Sequence, residues 1–224
     1  MGTRINIEGT VSFGSTNTIT LSHIEPITQY ARVQWEEGEG LKSDFGGGNI
    51  IRSKEKFIRN HTQGKIGEVA LSVLFREAFN IDSTVNMEPF EGNLQTDNGD
   101  LESIEGRQPR CSFDIKTTKK YNKWIAIRES IWKGHEPLDP ILIALVEPED
   151  CNPGSKDVDV HIPGWVLNRD LDTRVVRGQR LPRPNGTGTI GPPMKTNNRC
   201  YPICKVRVRS RSEWEDFLKL RLLG

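Results

Sequence analysis

The residues best suited to chemistry lie in one short run, Ser112-Phe113-Asp114-Ile115-Lys116-Thr117-Thr118. Side chains alternate between the two faces of a strand. Asp114, Lys116 and Thr118 therefore share one face, and Phe113, Ile115 and Thr117 the other. The apolar face suits a core. The opposite face presents a carboxylate and an ammonium about 7 Å apart along the strand. That combination suits phosphodiester hydrolysis: carboxylates hold Mg²⁺, which takes near-octahedral oxygen ligands and keeps several waters. The ion polarises the phosphate and acidifies a water, while a lysine beside it orients the nucleophile or offsets charge in the transition state.

Such a strand needs further acids brought to it. Asn98 to Lys116 reads as a hairpin, with a first strand from Asp100-Leu101-Glu102 and a turn within Glu105-Gly106-Arg107-Gln108-Pro109. Folding back places Asp100 near Asp114, with Asp97 as the competing residue. A third acid is Glu68, in Gly64-Lys65-Ile66-Gly67-Glu68, where two glycines permit close approach of backbone or ligand. It sits on the clearest helix of the chain, Gln63 to Phe79. There Ile66, Val69, Ala70, Val73 and Leu74 recur at helical spacing, and Leu71, Phe75 and Ala78 widen the apolar face. Its polar stripe is only Lys65, Glu68, Ser72 and Arg76, so the helix is expected to be mostly buried.

Further strands are expected at Trp124–Arg128, Ile141–Val146, Val158–Ile162 and Lys205–Val208. A helix starting at Pro26 and a closing helix through Trp214, Phe217 and Leu222, capped by Ser210 or Ser212, complete the pattern. The order implies an α/β or α+β domain built on one sheet. Residues 1–50, ending in the glycines Gly46-Gly47-Gly48, read as an N-terminal extension packed on a main domain of residues 51–224.

The ordered set of Gly-x-x-Gly-Glu on a helix, Gly99-Asp100-Leu101 opening a strand, and Phe113-Asp114-Ile115-Lys116-Thr117-Thr118 resembles the PD-(D/E)XK nuclease superfamily, which includes many restriction endonucleases. The resemblance covers about Gln63 to Arg128. It extends more loosely through 141–146 and Val160-His161-Ile162-Pro163-Gly164-Trp165. It implies a restriction-endonuclease-like central mixed β-sheet flanked by helices. Asp100, Asp114 and Glu68 would be metal ligands, with Asp97 as the alternative to Asp100, and Lys116 the catalytic lysine. The cofactor would be Mg²⁺, with Mn²⁺ able to substitute. One departure stands out: Gly99 precedes Asp100 and Thr96 precedes Asp97, where the family pattern has proline. The activity implied is a type II restriction endonuclease on double-stranded DNA, working as a homodimer with one site per strand. A phage or repair nuclease, such as a junction resolvase, is the alternative within the same chemistry. A non-catalytic DNA- or RNA-binding module is the alternative outside it.

Net charge is +1 over 224 residues, which hides a split. Thr173 to Arg211 holds ten Lys or Arg and no acid, leaving 21 basic and 30 acidic residues elsewhere, a balance of −9. This implies one surface for a polyanion. Lys205, Arg207, Arg209 and Arg211 alternate with Val206, Val208 and Ser210, as in a charged strand face. The expected DNA contacts are Lys119, Lys120, Arg180, Arg183, Lys195, Arg199, Lys205, Arg207 and Arg209, acting on phosphates. Gly186-Thr187-Gly188-Thr189-Ile190-Gly191 matches a dinucleotide fingerprint literally, but prolines flank it where a strand and a helix belong. It reads as a DNA-facing loop. The longest aliphatic run, Ile141–Val146, is far short of the about 20 residues of a membrane span. No secretory signal is visible at Met1-Gly2-Thr3-Arg4. Cys111, Cys151, Cys200 and Cys204 lack paired spacing, so they read as reduced thiols of a cytoplasmic protein, not a zinc site. His61 and His161 read as structural.

Overall fold

The computed structural model describes residues 7–37, 43–44, 48–51, 53–87, 100–151 and 157–223. Asp97 lies outside the described residues. Besides the short pairs Ser43–Asp44 with Gly48–Ile51 and Ser83–Thr84 with Ser103–Ile104, the strands in chain order are β1 (Gly9–Ser12), β2 (Thr18–Ser22), β3 (Asp114–Lys119), β4 (Trp124–Arg128), β5 (Pro140–Val146), β6 (Asp157–Leu167), β7 (Thr173–Val175), β8 (Leu181–Pro182), β9 (Thr189–Ile190) and β10 (Asn198–Pro202). The helices are α1 (Glu25–Glu37), α2 (Lys54–Phe79), the short α3 (Glu129–Trp132) and α4 (Arg211–Phe217). The architecture is mixed α+β. A five-stranded mixed sheet has the order β1-β2-β6-β5-β3, and a second, antiparallel sheet the order β7-β10-β4. Among the described residues no helix is long and apolar enough to cross a membrane.

β5 is the interior of the main sheet because it is apolar on both faces. Leu142, Ala144 and Val146 join the core beneath α2, and Ile141 and Ile143 pack with Ile125 and Ile127 of the second sheet. Strands buried on both faces read as continuous hydrophobic runs. β5 pairs antiparallel with β6 and parallel with β3, in the register Asp114↔Ile141 to Lys119↔Val146. The sheet does not begin with β3: Thr18–Ser22, at the N-terminus, pairs with β6 and adds β1 beyond it.

Two expectations from the sequence are corrected. The hairpin expected over Asn98 to Lys116 is not formed by its described part, residues 100–116. Ser103–Ile104 pairs instead with Ser83–Thr84, and β3 takes β5 as its partner. Leu101 and Ile104 explain the divergence, since both are buried in the core under α2 and draw that segment away from β3. The turn itself falls where expected, with Glu105 and Gly106 at φ 52° and 69°. Lys205–Val208 is likewise not a strand. Ile203–Lys205 is one 3₁₀ turn, and the following chain is tied down singly, by Arg209 N–H to Pro163 O (2.7 Å) and Asn17 Nδ2 to Arg209 O (2.8 Å).

α2 starts nine residues before the periodic stretch that reveals it. Ser53 caps it by accepting from Lys56 N, and Phe57 anchors its first turns by stacking on His61 at 4.0 Å and meeting Trp35 edge-on. α4 is opened by a capping box in which Ser210 and Glu213 exchange side-chain and backbone bonds. The four cysteines are free thiols, and burial pushes Cys151 up to about 12 and Cys200 up to about 11.

α2 lies on β3 at Gly67. A Cβ there would sit 1.9 Å from Thr117 Oγ1, 3.1 Å from Thr117 Cβ and 3.2 Å from Ala144 Cβ, whereas one at Gly64 meets nothing within 4 Å. Gly→Ala in a helix interior gains about 1 kcal/mol of propensity, but overpacking costs about 1–3 kcal/mol. Gly67→Ala is therefore expected to lower stability and Gly64→Ala to raise it, read as opposite shifts of the urea midpoint.

Candidate active site

The site forms at the outer edge of β3, the last strand of its sheet among the described residues. Residues 115 and 117 turn their backbone groups outward there, and side chains meet them. Asp100 accepts a hydrogen bond from Ile115 N–H. Gln63 Nε2 donates to Thr117 O at 3.0 Å, and Thr117 Oγ1 donates to Gly64 O at 3.2 Å. β3 is thus clamped to α2 on one face, which leaves Asp114 and Lys116 on the face shared with Ile141 and Ile143.

Asp114 is buried and Lys116 half-buried. Lys116 Nζ lies 2.6 Å from Asp114 Oδ1 and 2.5 Å from Oδ2. On the helix side, Lys65 Nζ lies 2.5 Å from Glu68 Oε2, with 5% and 8% of the two residues exposed. Lys65 also sits over the Tyr30 ring at 5.3 Å. Asp100 stands where these two pairs meet. Burial, and then the charges of Glu68 and Asp114, hold its carboxyl well above the usual carboxylate range, against the opposing pull of Lys116 and the Ile115 N–H. Asp100, Asp114, Lys116 and Glu68 are accordingly gathered by three different stretches of chain. Among the described residues, no three acidic, histidine or cysteine side chains converge tightly enough to make a ready metal cage.

The basic residues are sorted by their partners. Lys120 reaches Glu147 at 3.5 Å, and Lys119 lies over the exposed Tyr121 ring at 5.7 Å. Arg199 stacks on Trp132 at 4.4 Å and reaches Glu129 at 3.7 Å, where Arg174 also binds at 3.0 Å. Arg207 and Arg209 both pair with Glu213, and Arg209 lies over Trp165 at 4.6 Å. Arg180, Arg183, Lys195 and Lys205 are exposed. Arg180 and Arg183 belong to the segment carrying the β8–β9 hairpin, which holds the glycine-rich run.

Sequence alone does not single out Lys65, because an i,i+3 Lys–Glu pair is an ordinary neighbour contact on a helix surface; its burial distinguishes it. Ser112, His135 and Asp139 also come together. The Ser112 hydroxyl (3.5 Å) and the Asp139 carboxylate (3.6 Å) both address the same His135 nitrogen, Nδ1, so they form no relay of the kind that activates a serine. Asp139 accepts from Glu136 N–H at 2.8 Å, a structural bond. His161 meets Thr18 Oγ1 at 3.0 Å. No protein-family model, curated protein or solved structure matches this chain.

Two outcomes follow from the electrostatics. Removing one member of a buried ion pair costs about 3–5 kcal/mol, whereas replacing both by apolar groups is far milder. Lys65→Met should therefore destabilise strongly, and Lys65→Met/Glu68→Leu should recover at least half the loss in urea unfolding. Asp100 binds its proton more tightly folded than unfolded. The stability this confers is complete below the unfolded pKa of about 4 and is lost as pH rises through the raised folded value. In EDTA, Asp100→Asn, which keeps an acceptor for Ile115, should unfold at higher urea than the parent at pH 8 and at the same urea near pH 3.5.

Proposed function

We propose that this chain is a metal-dependent nuclease hydrolysing phosphodiester bonds, and within that class a type II restriction endonuclease acting on double-stranded DNA. The observation that carries the reading is the gathering of Asp100, Asp114, Glu68 and Lys116 at the edge of one strand. Four residues taken from the sequence as a PD-(D/E)XK set are brought together by a parallel edge strand, a loop and a helix. The restriction-endonuclease-like fold is part of the same proposal, supported by a mixed sheet with the Asp-Ile-Lys strand at its margin and the Glu68 helix lying on it.

The donor set suits Mg²⁺. All three acids offer hard oxygen donors; Asp100, raised by burial first, also feels the charges of Glu68 and Asp114, which a divalent cation would relieve. Asp100, Asp114 and Glu68 would hold the ion, with Mn²⁺ able to replace it. When bound, it would supply Lewis acidity to the phosphate and an acidified water. Lys116, already beside Asp114, orients the attacking water or offsets charge on the phosphate. Lys65, 2.5 Å from Glu68 Oε2, holds that side chain in place on the helix. A homodimer in the cytoplasm, one site per strand of the duplex, completes the reading.

Nicking of supercoiled plasmid tests it. Cutting is expected with Mg²⁺ and not with EDTA, and Asp114→Ala and Lys116→Ala should each lower the rate at least 100-fold, a loss of about 2.7 kcal/mol or more of transition-state stabilisation. If both folded variants cut at the parent rate, the reading fails. Discrete fragments from long DNA support restriction, and cleavage confined to branched DNA points to a resolvase instead.

A further inference from the structure

The acid-free stretch looks uniform in sequence, but its arginines have different companions in the fold. Arg174 and Arg199 share Glu129, Arg207 and Arg209 share Glu213, and Arg211 meets Glu215 at 3.5 Å. Within Thr173 to Arg211, the exposed guanidiniums with no carboxylate partner among the described residues are Arg177, Arg180 and Arg183. All three belong to the segment that enters and forms the β8–β9 hairpin.

That hairpin is a built element. Leu181 and Ile190 face each other in register and, with Met194, pack on Trp124, Val175 and Cys200. Trp124 donates its indole N–H to Pro182 O at 2.7 Å. The tip is closed by Arg183 N–H to Gly188 O (3.0 Å), Gly186 N–H to Arg183 O (2.8 Å) and Thr187 N–H to Asn185 Oδ1 (3.2 Å). Gly186 and Gly188 take φ of 82° and 78°, which keeps the tip slender. Residues 185–189 are all exposed. A two-stranded ribbon fits the major groove, which is about 12 Å wide. Trp124, which seats the hairpin, follows β3 after one turn, and a six-residue strand spans about 17 Å.

We propose that the hairpin Leu181–Ile190, with Arg177, Arg180 and Arg183, is the element that grips duplex DNA, its tip in the major groove, and that the Arg207–Arg211 stripe is not. This rests on the nuclease reading. It transfers the polyanion contact from the paired stripe to the unpaired hairpin, because a guanidinium already neutralised by a fixed carboxylate must give up that partner before taking a phosphate.

The test is fluorescence anisotropy of a labelled duplex titrated with full-length protein in EDTA, across a series of salt concentrations. Each lost phosphate contact lowers the salt slope by about 0.9. Arg177→Gln/Arg180→Gln/Arg183→Gln, all exposed and confirmed folded by thermal melting, is expected to lower the slope by about 2–3 and weaken binding at least tenfold. Arg207→Gln should leave the slope unchanged. A parent-like slope in the triple variant overturns the proposal, as does a loss of slope seen only with Arg207→Gln or a preference for single-stranded DNA or RNA. A parent protein that neither binds nor cuts duplex DNA removes the nuclease reading itself. One that cuts, with the triple variant cutting and binding alike, overturns only the hairpin.

Discussion

Helix α2 can lie on β3 only because residue 67 has no side chain. Thr117 fills that space, and the hydroxyl that would collide with any Cβ instead donates to the carbonyl of Gly64, one turn earlier. Gln63 adds a second tie, to the carbonyl of Thr117. A helix bonded in this way to an edge strand is fixed in rotation as well as distance. Glu68 follows Gly67 directly, so its position relative to Asp114 is set by that contact. Ile66 and Ala70, with no measurable exposure, continue the same face into the core. Interiors packed at this density transmit small displacements, which ties the geometry of the acids to one missing methyl group.

Charge is arranged around the edge with the same economy. Asp114 and Glu68 each carry a lysine within hydrogen-bonding reach, while the carboxyl of Asp100 is pushed above the usual range, by burial first and then by the charges of Glu68 and Asp114. Buried ion pairs contribute little net stability, since desolvation offsets their attraction. Their presence in a core this apolar is a cost that a larger aliphatic residue would avoid, and it marks the edge as a place where charge is wanted. Elsewhere the fold quenches charge: Glu129 and Glu213 each neutralise two arginines. A chain of net charge +1 thereby divides into an acidic edge, a neutralised flank and an open basic hairpin.

Local order was easily legible. The alternation in Phe113–Thr118 gave the faces of β3, the apolar run gave β5, the 3.6-residue period gave α2, and Ser210 with Glu213 gave the start of α4. What sequence could not carry was partnership. Asp100 and Asp114 suggested adjacent strands because a hairpin is the cheapest way to bring them together. A parallel pairing with β5 is invisible until Leu101 and Ile104 are known to be buried elsewhere. The alternation at Lys205–Arg211 has the period of a strand, but with β6 bulged at Gly164 the chain has no ladder to join and makes isolated bonds. The pairing of Lys65 with Glu68 was written in their spacing, and only depth within the fold separates it from the ordinary exposed pair.

A final consequence lies in the bond between Asp100 and Ile115. An outermost strand presents unsatisfied amides and carbonyls that invite a strand from another molecule, and proteins protect such margins with charge or cover. Here the amide of Ile115 is met by Asp100 and the carbonyl of Thr117 by Gln63. The acid offered as a metal ligand is therefore also a sentinel against self-association. Truncating it to alanine would leave the amide of Ile115 open and turn a loss of chemistry into an opening for intermolecular β-pairing. An amide side chain would keep the margin closed.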